Sequence, residues 1–366
     1  APVASKWLDF LDFAECALAT DMSVAVPHLI TSDWYDSLDK RGMWTQLFIY
    51  FCYHQNLYTL YAHPIGSKAL ISHFREKGEH FRKTGGRDFQ LVSSADDWAI
   101  IYPDNLPRLE WDARVHPSSP LKFLVLSGAV GYQPNEFKRF VTNLRSHYDG
   151  DVALLVWEKA PSEVFALLES FNIQAVKTRE AGGKRASPAW YKVNQVRWQF
   201  YQDMCRHDKY DLCMAVDFRD TLFQDNPFRG MVATENGKSV LHVYEHNIPM
   251  NKWHLDVARQ CKGNNEMLKG KQIINAGGFA GSPGAFPQLA EWIQQDAKTC
   301  DDQVALNIGV YGEAFNATVV SHKQGEGSIN NVAWGGKFRR DSRRRFLNTN
   351  CFPSPAVHQF DLNKAK

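Results

Sequence analysis

The chain has 366 residues, 44% of them hydrophobic and 13% aromatic, a composition typical of a globular protein with a sizeable core. Its 42 basic residues nearly balance its 40 acidic residues, and the formal net charge is +2. This balance argues against a nucleic-acid partner, because nucleic-acid-binding domains carry a strongly basic face. The sequence has no apolar run of the roughly 18 residues that a membrane-spanning helix requires.

The cysteines and a glycosylation sequon bear on the cellular compartment. None of the seven cysteines belongs to a Cys-x-x-Cys motif, which removes most zinc-ribbon and redox-motif interpretations. Because seven is an odd number, the cysteines cannot all pair within one chain. Asn316-Ala-Thr318 is an N-glycosylation sequon, which fits a secretory-pathway protein. We therefore expect residence in the Golgi or ER lumen, with membrane attachment only through a segment outside this sequence.

Residues 1–115 form an aromatic-rich region that carries no recognisable chemical motif. The spacing of its apolar residues predicts helices within Trp44–Tyr61 and Ala69–Phe81. The Pro-rich stretch Pro103–Pro120 then indicates a domain boundary, since prolines interrupt regular structure. The sequence thus predicts a mainly helical N-terminal region, which packs against or shapes an acceptor site, and a second domain over residues 116–366.

The second domain opens with alternating strands and helices. Short apolar runs predict buried strands, and apolar residues spaced by three and four predict the helices between them. The strands are Lys122–Gly128, Val152–Trp157 and Ile173–Val176, and the helices are Glu136–Tyr148 and Pro161–Phe171. This alternation is typical of a doubly wound α/β sheet. Such sheets bind nucleotides at the carboxyl ends of their strands.

Two acidic residues follow the next predicted strand. A helix over Pro188–Cys205 leads to the strand Leu212–Val216, which runs directly into Asp217-Phe-Arg-Asp220. Carboxylates at the end of a buried strand are costly unless they are compensated, and a divalent cation bound to a diphosphate would compensate them. A salt bridge to Arg219 or a capping role is the alternative.

Polar groups interrupt two apolar segments further along the chain. The strand Gln272–Ala280 contains Asn275-Ala-Gly-Gly, in which glycines allow close approach of a ligand and the amide can bond a sugar hydroxyl. A simple strand-to-helix turn is the alternative. Asp301-Asp302-Gln303 precedes an apolar helix, and an N-cap accounts for only one of its two aspartates.

His358 belongs to an isolated polar group, Val357-His-Gln-Phe-Asp361, that follows Pro353 and Pro355 in the C-terminal segment. A lone histidine is more often structural than a ligand. Neutral imidazole is nevertheless a common third metal ligand beside two carboxylates, and a C-terminal segment can fold back over a site.

The order of these motifs resembles that of the retaining GT-A glycosyltransferases related to glycogenin and to bacterial lipopolysaccharide α-galactosyltransferases. The resemblance covers residues 122–361, from the first strand to the segment after His358. It implies an α/β fold of the GT-A kind, Rossmann-like with a doubly wound mixed sheet, to which the mainly helical N-terminal region is an extension.

The resemblance also implies roles for individual residues. It places Mn²⁺ or Mg²⁺ at Asp220, Asp217 and His358. It makes Asp302 a ligand of sugar hydroxyls and sets Gln303 beside the anomeric carbon, as the catalytic pair. The candidate donor-binding residues, including one at the end of the first strand, are Arg197, Asp217, Asn275, Gly277 and Ser127.

One departure from the family pattern affects the metal site. The family's acids stand two positions apart, on one side of an extended chain, whereas Asp217 and Asp220 stand three apart. Either a bend or bulge intervenes or only one acid binds the metal. Asp220 is then the expected ligand, and Asp217 is either a second ligand or a ribose contact.

The function implied is transfer of a sugar from a nucleotide-diphospho-sugar, with a UDP-sugar favoured, to a glycan or glycoprotein acceptor with retention of configuration. A non-catalytic glycan- or nucleotide-binding protein on the same scaffold is the alternative, because fold does not guarantee activity. A nucleotidyltransferase would require a Gly-rich phosphate loop after the first strand, and the segment from Ser127 to Gly131 is too sparse in glycine.

Three further features lie outside this pattern. The basic run Lys337–Arg345 could clamp a diphosphate or an acidic acceptor, or form a solvated loop. The histidines at positions 242, 246 and 254 match no zinc pattern and are expected to be structural. Cys261 and Cys300 flank the predicted sugar-binding strand and helix, and we expect them to form a disulfide.

Overall fold

The structure is a computed structural model. It describes residues 2–26, 32, 44–55, 57, 121–182, 187–205, 209–235, 237–262, 266–296, 300–333 and 338–360. The chain divides into a larger unit, Ala1–Ser23 with Ser119–Lys366, and a smaller unit, Val24–Ser118. In these described residues, no helix has both the length and the apolar character needed to cross a membrane.

The described residues form eight α-helices and eleven β-strands. The helices are α1 (Pro2–Thr20), α2 (Trp44–His54), α3 (Pro134–Arg145), α4 (Ser162–Ser170), α5 (Pro188–Met204), α6 (Lys252–Lys262), α7 (Phe286–Asp296) and α8 (Asp302–Tyr311). The strands are β1 (Phe123–Gly128), β2 (Asp151–Trp157), β3 (Gln174–Thr178), β4 (Leu212–Val216), β5 (Thr221–Phe223), β6 (Thr234–Glu235), β7 (Lys238–Pro249), β8 (Gln272–Gly281), β9 (Thr318–His322), β10 (Ile329–Asn331) and β11 (Ala356–His358).

The central sheet of the larger unit has eight strands in the order β3-β2-β1-β4-β8-β7-β6, and β9 pairs with β7. Strands β1 to β4 are parallel, whereas β8 runs antiparallel to β4. The chain moves outward from β1 to β2 and β3, then returns to place β4 on the other side of β1. The strand order therefore switches between β1 and β4, where doubly wound sheets bind ligands. The predicted α/β class with a Rossmann-like, doubly wound mixed sheet is confirmed.

Burial of the central strands explains their apolar sequences. All five residues of β4 are buried, as expected for a strand covered on both faces. Helix α3 covers one face with four buried residues, Phe137, Phe140, Val141 and Leu144. It begins with a capping box in which the Gln133 and Glu136 side chains satisfy backbone N–H groups. The sequence predicted these elements to within a few residues.

A second, three-stranded sheet has the order β10-β11-β5. In it, His358 at the end of β11 pairs with Thr221 at the start of β5 and with Asn331 at the end of β10. This small sheet therefore fixes the C-terminal histidine beside the residue that follows Asp220. Each strand has three residues, too few for a periodic pattern to reveal it in the sequence.

Helix α1 belongs to the larger unit, although the sequence analysis placed it in a separate region over residues 1–115. The Cys16–Cys351 disulfide joins it to the C-terminal segment, and Phe13 stacks on Phe352 with ring centroids 4.9 Å apart. A disulfide and an apolar contact with the distant C-terminal segment thus place α1 in the larger unit. The boundary at residues 118 and 119 lies near the predicted one.

The basic run at 337–345 also packs against helix α1. Asp9 forms ion pairs with Arg345 at 2.6 Å and with Arg343 at 3.3 Å. The Arg345 Nε also bonds Asp341 at 2.6 Å. These arginines are therefore engaged in holding α1, rather than free to clamp a diphosphate. Lys337 lies outside the described residues.

The smaller unit is described only in part. Helix α2 starts where the predicted helix Trp44–Tyr61 starts. The buried Gln46 amide donates hydrogen bonds to the Val24 carbonyl at 2.7 Å and to Ser32 Oγ at 3.0 Å, which satisfies a polar group inside the unit. The other predicted helix, Ala69–Phe81, lies outside the described residues.

Candidate metal and donor site

The two acids that follow β4 lie on a turn. Residues 218–220 form this turn, and β5 begins directly after it. Phe218 anchors the turn because its buried ring packs on Phe137 and Phe140, with centroid distances of 4.8 and 4.7 Å. The chain therefore bends between Asp217 and Asp220, and a spacing of three still allows both carboxylates to face one place.

Asp217, Asp220 and His358 form a cluster in which one potential ligand atom of each residue lies within 4.8 Å of the others. His358 Nε2 is 3.5 Å from Asp217 Oδ2 and 3.6 Å from Asp220 Oδ1. Adjacent ligands of an octahedral ion with bonds of about 2.1 Å are about 3 Å apart, so small shifts would let all three bind one cation. Two carboxylates with one imidazole suit Mn²⁺, and carboxylates also suit Mg²⁺.

The tautomer of His358 is set by its neighbour. His358 Nδ1 donates to Asn331 Oδ1 at 2.9 Å, and the Asn331 amide in turn donates to the Tyr244 carbonyl at 3.2 Å. This leaves Nε2, which is buried and without a hydrogen-bond partner, facing the two carboxylates, where its lone pair could bind a cation once the ring is deprotonated. A fixed second-ring hydrogen bond of this kind is typical of metal-binding histidines.

The charges of the cluster favour a cation. Burial alone would raise the pKa of Asp217, but His358 and Arg197 together hold it below its usual range. Burial would lower the pKa of His358, but the adjacent Asp217 and Asp220 raise it to about 9. The imidazole is therefore protonated near pH 7, and its positive charge offsets part of the negative charge of the two carboxylates. A divalent cation could replace that proton and supply the positive charge instead.

Gly277 forms one wall of the cluster, and its missing side chain leaves room for the ligands. A Cβ at this position would lie 2.5 Å from His358 Nε2 and 2.6 Å from Asp217 Oδ2. The Gly277 carbonyl also accepts the Asp217 backbone N–H at 2.7 Å. Strand β8 can pass this close to the acids only because the residue is glycine.

Arg197, on α5, joins the metal cluster to the start of α8. It forms an ion pair with Asp217 at 3.1 Å and a second one with Asp302. Its aliphatic stem crosses the end of β1, where a Cβ on Gly128 would be 2.9 Å from Arg197 Cδ. Two predicted donor-binding residues, Arg197 and Asp217, are thus brought together with Asp302, which was predicted to be catalytic.

Two other predicted donor contacts face into the protein. Asn275 is buried, with Oδ1 accepting the Gly277 N–H at 2.5 Å and Nδ2 donating to His246 Nε2 at 2.6 Å. The hydroxyl of Ser127, also buried, donates to the Val216 carbonyl at 2.6 Å. In this structure both residues hold the backbone around the acids, and most of their hydrogen-bonding capacity is used there.

Three residues of the motif at the start of α8 have separate roles. Asp301 is the N-cap and accepts the backbone N–H groups of Gln303 and Val304, as predicted for one of the aspartates. Asp302 is left to pair with Arg197. Asn307 clamps β8, because its amide exchanges two 2.8 Å hydrogen bonds with the backbone of Ile274. This clamp fixes β8 against α8.

His246 and His254, which the sequence analysis assigned to structural roles, contact predicted site residues. His246 bonds Asn275, and His254 Nε2 lies 3.5 Å from Gln303 Nε2. Burial is the main cause of lowered pKa values for both histidines, to about 4 for His246. Both are therefore neutral near pH 7. Pairing of β7 with β8 brings His246 here, and no local sequence signal carries that pairing.

His242 lies in a different environment. Its Nδ1 is 3.1 Å from His322 Nε2, and its Nε2 bonds the Val232 carbonyl at 2.9 Å. The imidazoles of His242 and His322 stack with their centroids 5.3 Å apart. These contacts join β7 to the end of β9, in keeping with the structural role expected for His242.

Comparisons with known proteins give distant likenesses among solved structures. No protein-family model matches the sequence. A search of curated proteins finds no match either. Among solved structures, a glycosyltransferase involved in glycosylation of the major capsid of PBCV-1 aligns with 65% of this chain and 94% of its own, at 9% identity and a TM-score of 0.37. At these values the likeness says nothing about the activity of this chain. A function for this chain has to be inferred from the geometry of the site.

Proposed function

We propose that this protein is a metal-dependent glycosyltransferase that moves a sugar from a nucleotide-diphospho-sugar to a glycan or glycoprotein acceptor. One observation carries the proposal. Asp217, Asp220 and His358 present ligand atoms within 4.8 Å of one another at the switch point of a doubly wound sheet. That is where such sheets bind nucleotides. Mn²⁺ or Mg²⁺ bound there would offset the charge of the leaving nucleoside diphosphate.

The residues around the cluster support donor binding. The Arg197 guanidinium lies between Asp217 and Asp302, so it can orient Asp302 toward sugar hydroxyls. Gln303 is the next residue, and its Nε2 faces His254. The amide oxygen is then the atom of Gln303 left to face positive charge that develops at the anomeric carbon.

We propose that transfer retains the anomeric configuration. In this route the bond from C1 to the diphosphate oxygen breaks, and its electron pair goes to the diphosphate. The acceptor oxygen bonds C1 on the same face and gives its proton to the departing diphosphate oxygen. Gln303 is a poor nucleophile, so this front-face route is favoured over a covalent intermediate.

One observation favours inversion as a second candidate. Inversion requires a base for the acceptor proton, and His254 has the geometry of one. Its Nδ1 donates to Asn251 Oδ1 at 2.8 Å, which leaves Nε2 as a lone pair directed at Gln303. The two candidates make opposite predictions for the linkage formed.

Replacement of Gln303 by Ala is expected to lower turnover roughly 100-fold with little change in donor affinity, because the amide acts mainly in the transition state. Initial rates over a range of donor concentrations separate the two effects. NMR of the first-formed product from an α-linked donor then gives the stereochemistry. An α-linked product supports retention. A β-linked product, with turnover lost in His254→Gln, would assign the inverting route instead.

A donor panel tests the proposed function itself. The protein is incubated with UDP-, GDP- and CMP-sugars in the presence of Mn²⁺, and release of the nucleoside phosphate is measured. We expect cation-dependent release from one class of donor, with UDP-sugars the first to try. Tight binding of a donor or a glycan without release from any donor would favour the non-catalytic alternative.

We further propose that the protein resides in the Golgi or ER lumen. Its described cysteines form the disulfides Cys16–Cys351, Cys205–Cys213 and Cys261–Cys300, which leaves Cys52 outside a disulfide. Such bonds persist in oxidising compartments. The Cys261–Cys300 pair is the one predicted from the sequence. The sequon residue Asn316 is exposed.

Secretion from a eukaryotic host checks this assignment. Non-reducing peptide mapping is expected to recover the three disulfide-linked peptides, and peptide N-glycosidase treatment is expected to shift the mass of the wild type but not of Asn316→Gln. Free thiols at Cys261 and Cys300, or an unmodified Asn316, would contradict luminal residence.

A further inference from the structure

Trp253 is an exposed aromatic side chain beside the candidate site. It occupies the second position of helix α6 and is 47% exposed. Single exposed apolar residues are common on protein surfaces, so exposure alone assigns no role. What distinguishes Trp253 is its connection to Gln303 through His254.

The indole is held in a fixed position. The Trp253 ring meets the His254 ring edge-on, with centroids 4.8 Å apart and planes at 84°. Asn251 caps the helix, since its Oδ1 accepts the His254 backbone N–H at 3.2 Å and the His254 Nδ1 at 2.8 Å. The indole thus stands on a capped helix turn and against an aromatic neighbour, which restrict its freedom before a ligand binds.

The indole also lies close to the reacting groups of the proposed function. His254, which contacts Trp253 on one side, has its Nε2 3.5 Å from Gln303 Nε2 on the other. Gln303 is the residue expected beside the anomeric carbon. The His254 side chain therefore links the exposed indole to Gln303, the residue expected beside the reacting carbon of the sugar.

The chemistry of this surface fits a pyranose ring. One face of a pyranose presents C–H groups and is apolar, while its rim carries hydroxyls. An exposed indole offers a flat apolar surface to the C–H face, and the side-chain amides of Asn251 and Gln303 can bond the rim. The same mixture of a flat aromatic and polar groups suits an extended peptide less well, because a peptide presents backbone amides along its length.

We infer that Trp253 is the stacking platform of an acceptor subsite, and that the acceptor is a glycan with a terminal pyranose rather than a bare peptide. This inference rests on the proposed function. Trp253 determines acceptor affinity and takes no part in breaking the donor bond.

The test compares Trp253→Ala with Trp253→Phe and with a matched control, Trp7→Ala. Trp7 is also 47% exposed and lies on α1, where its ring packs on Phe10 at 5.2 Å. The probes are the methyl α- and β-glycosides of glucose, galactose, mannose and N-acetylglucosamine, together with serine- and threonine-containing peptides. Binding is measured by saturation-transfer NMR, and turnover by glycoside-stimulated release of the nucleoside diphosphate.

We expect at least one glycoside to bind the wild type and Trp7→Ala, and Trp253→Ala to raise its KM about 10-fold or more, equivalent to about 1.4 kcal/mol. Trp253→Phe should restore part of the affinity. The rate of donor hydrolysis without acceptor and the donor KM should not change, a pattern that a general loss of structure would not give.

Two results would overturn the inference. One is an unchanged glycoside KM in Trp253→Ala, and the other is stimulation by peptides but by no glycoside. Glycoside binding that depends on Trp253, in a protein that cleaves no nucleotide-sugar, would instead support the subsite and contradict the proposed function. The binding measurement therefore tests the acceptor subsite, and the turnover measurement tests the proposed function independently.

Discussion

Replacement of Asp220 by Asn is expected to reduce cation-dependent release of nucleoside diphosphate by about 100-fold or more, the scale seen when one charge-stabilising group is removed. Asn has the same shape but lacks the charge, so the cluster keeps its packing and loses one anionic ligand. The backbone contact survives, because Gln359 N–H donates at 2.7 Å to the carbonyl oxygen of Asp220 and not to its side chain. The melting temperature should therefore change little.

The control for Asp220→Asn is Asp149→Asn, which removes an exposed carboxylate from the end of the α3–β2 connection. Rates over a Mn²⁺ titration and thermal melts of both variants are compared with the wild type. The control should match the wild type in both measurements. Full turnover of Asp220→Asn at the same Mn²⁺ concentration would remove Asp220 from the metal site.

Replacement of Gly277 by Ala is expected to abolish cation binding. The added methyl would lie about 2.5 Å from His358 Nε2 and 2.6 Å from Asp217 Oδ2, inside van der Waals contact with two of the three ligand atoms. The two ligands would have to move away from the methyl. His358 has little room to do so, because it is buried and held by Asn331. Electron paramagnetic resonance of Mn²⁺ titrated into the variant measures binding directly and does not depend on knowing the donor.

The matched control is Gly278→Ala, one residue along the same strand. A methyl there meets the Ile329 side chain, at 3.0 Å from Cδ1 and 3.1 Å from Cγ2, and no residue of the cluster. It should retain Mn²⁺ binding after a small shift of Ile329. Mn²⁺ binding by Gly277→Ala with wild-type affinity would show that the three residues do not share a cation.

The sequence predicted the parts of the fold that depend on local pattern. The buried strand Leu212–Val216 was predicted with the bounds that β4 has, because a run of five apolar residues between polar segments is long enough for a buried strand and too short for a helix. The acids that follow this strand and the Asp301 cap of α8 could be identified for the same reason. Each of these features is encoded within a few residues.

The remaining features depend on contacts between distant segments. His246 reaches Asn275 only through the pairing of β7 with β8, and His358 reaches Asp220 only through the small sheet that β11 completes. Helix α1 joins the larger unit through Cys16, 335 residues before its partner. Short strands and long-range disulfides carry no periodic signal, so sequence reasoning alone could not identify them.

We propose that cleavage of the nucleotide-sugar depends on a cation held by Asp217, Asp220 and His358. The most direct measurement begins with wild-type protein freed of metal by chelation and supplied with the best donor of the panel. Release of nucleoside diphosphate is followed before and after Mn²⁺ is added, with Asp220→Asn in parallel. We expect negligible release of nucleoside diphosphate without metal. Addition of Mn²⁺ should restore release in the wild type but not in the variant. Equal release by the wild type with Mn²⁺ and with excess EDTA would contradict the proposal.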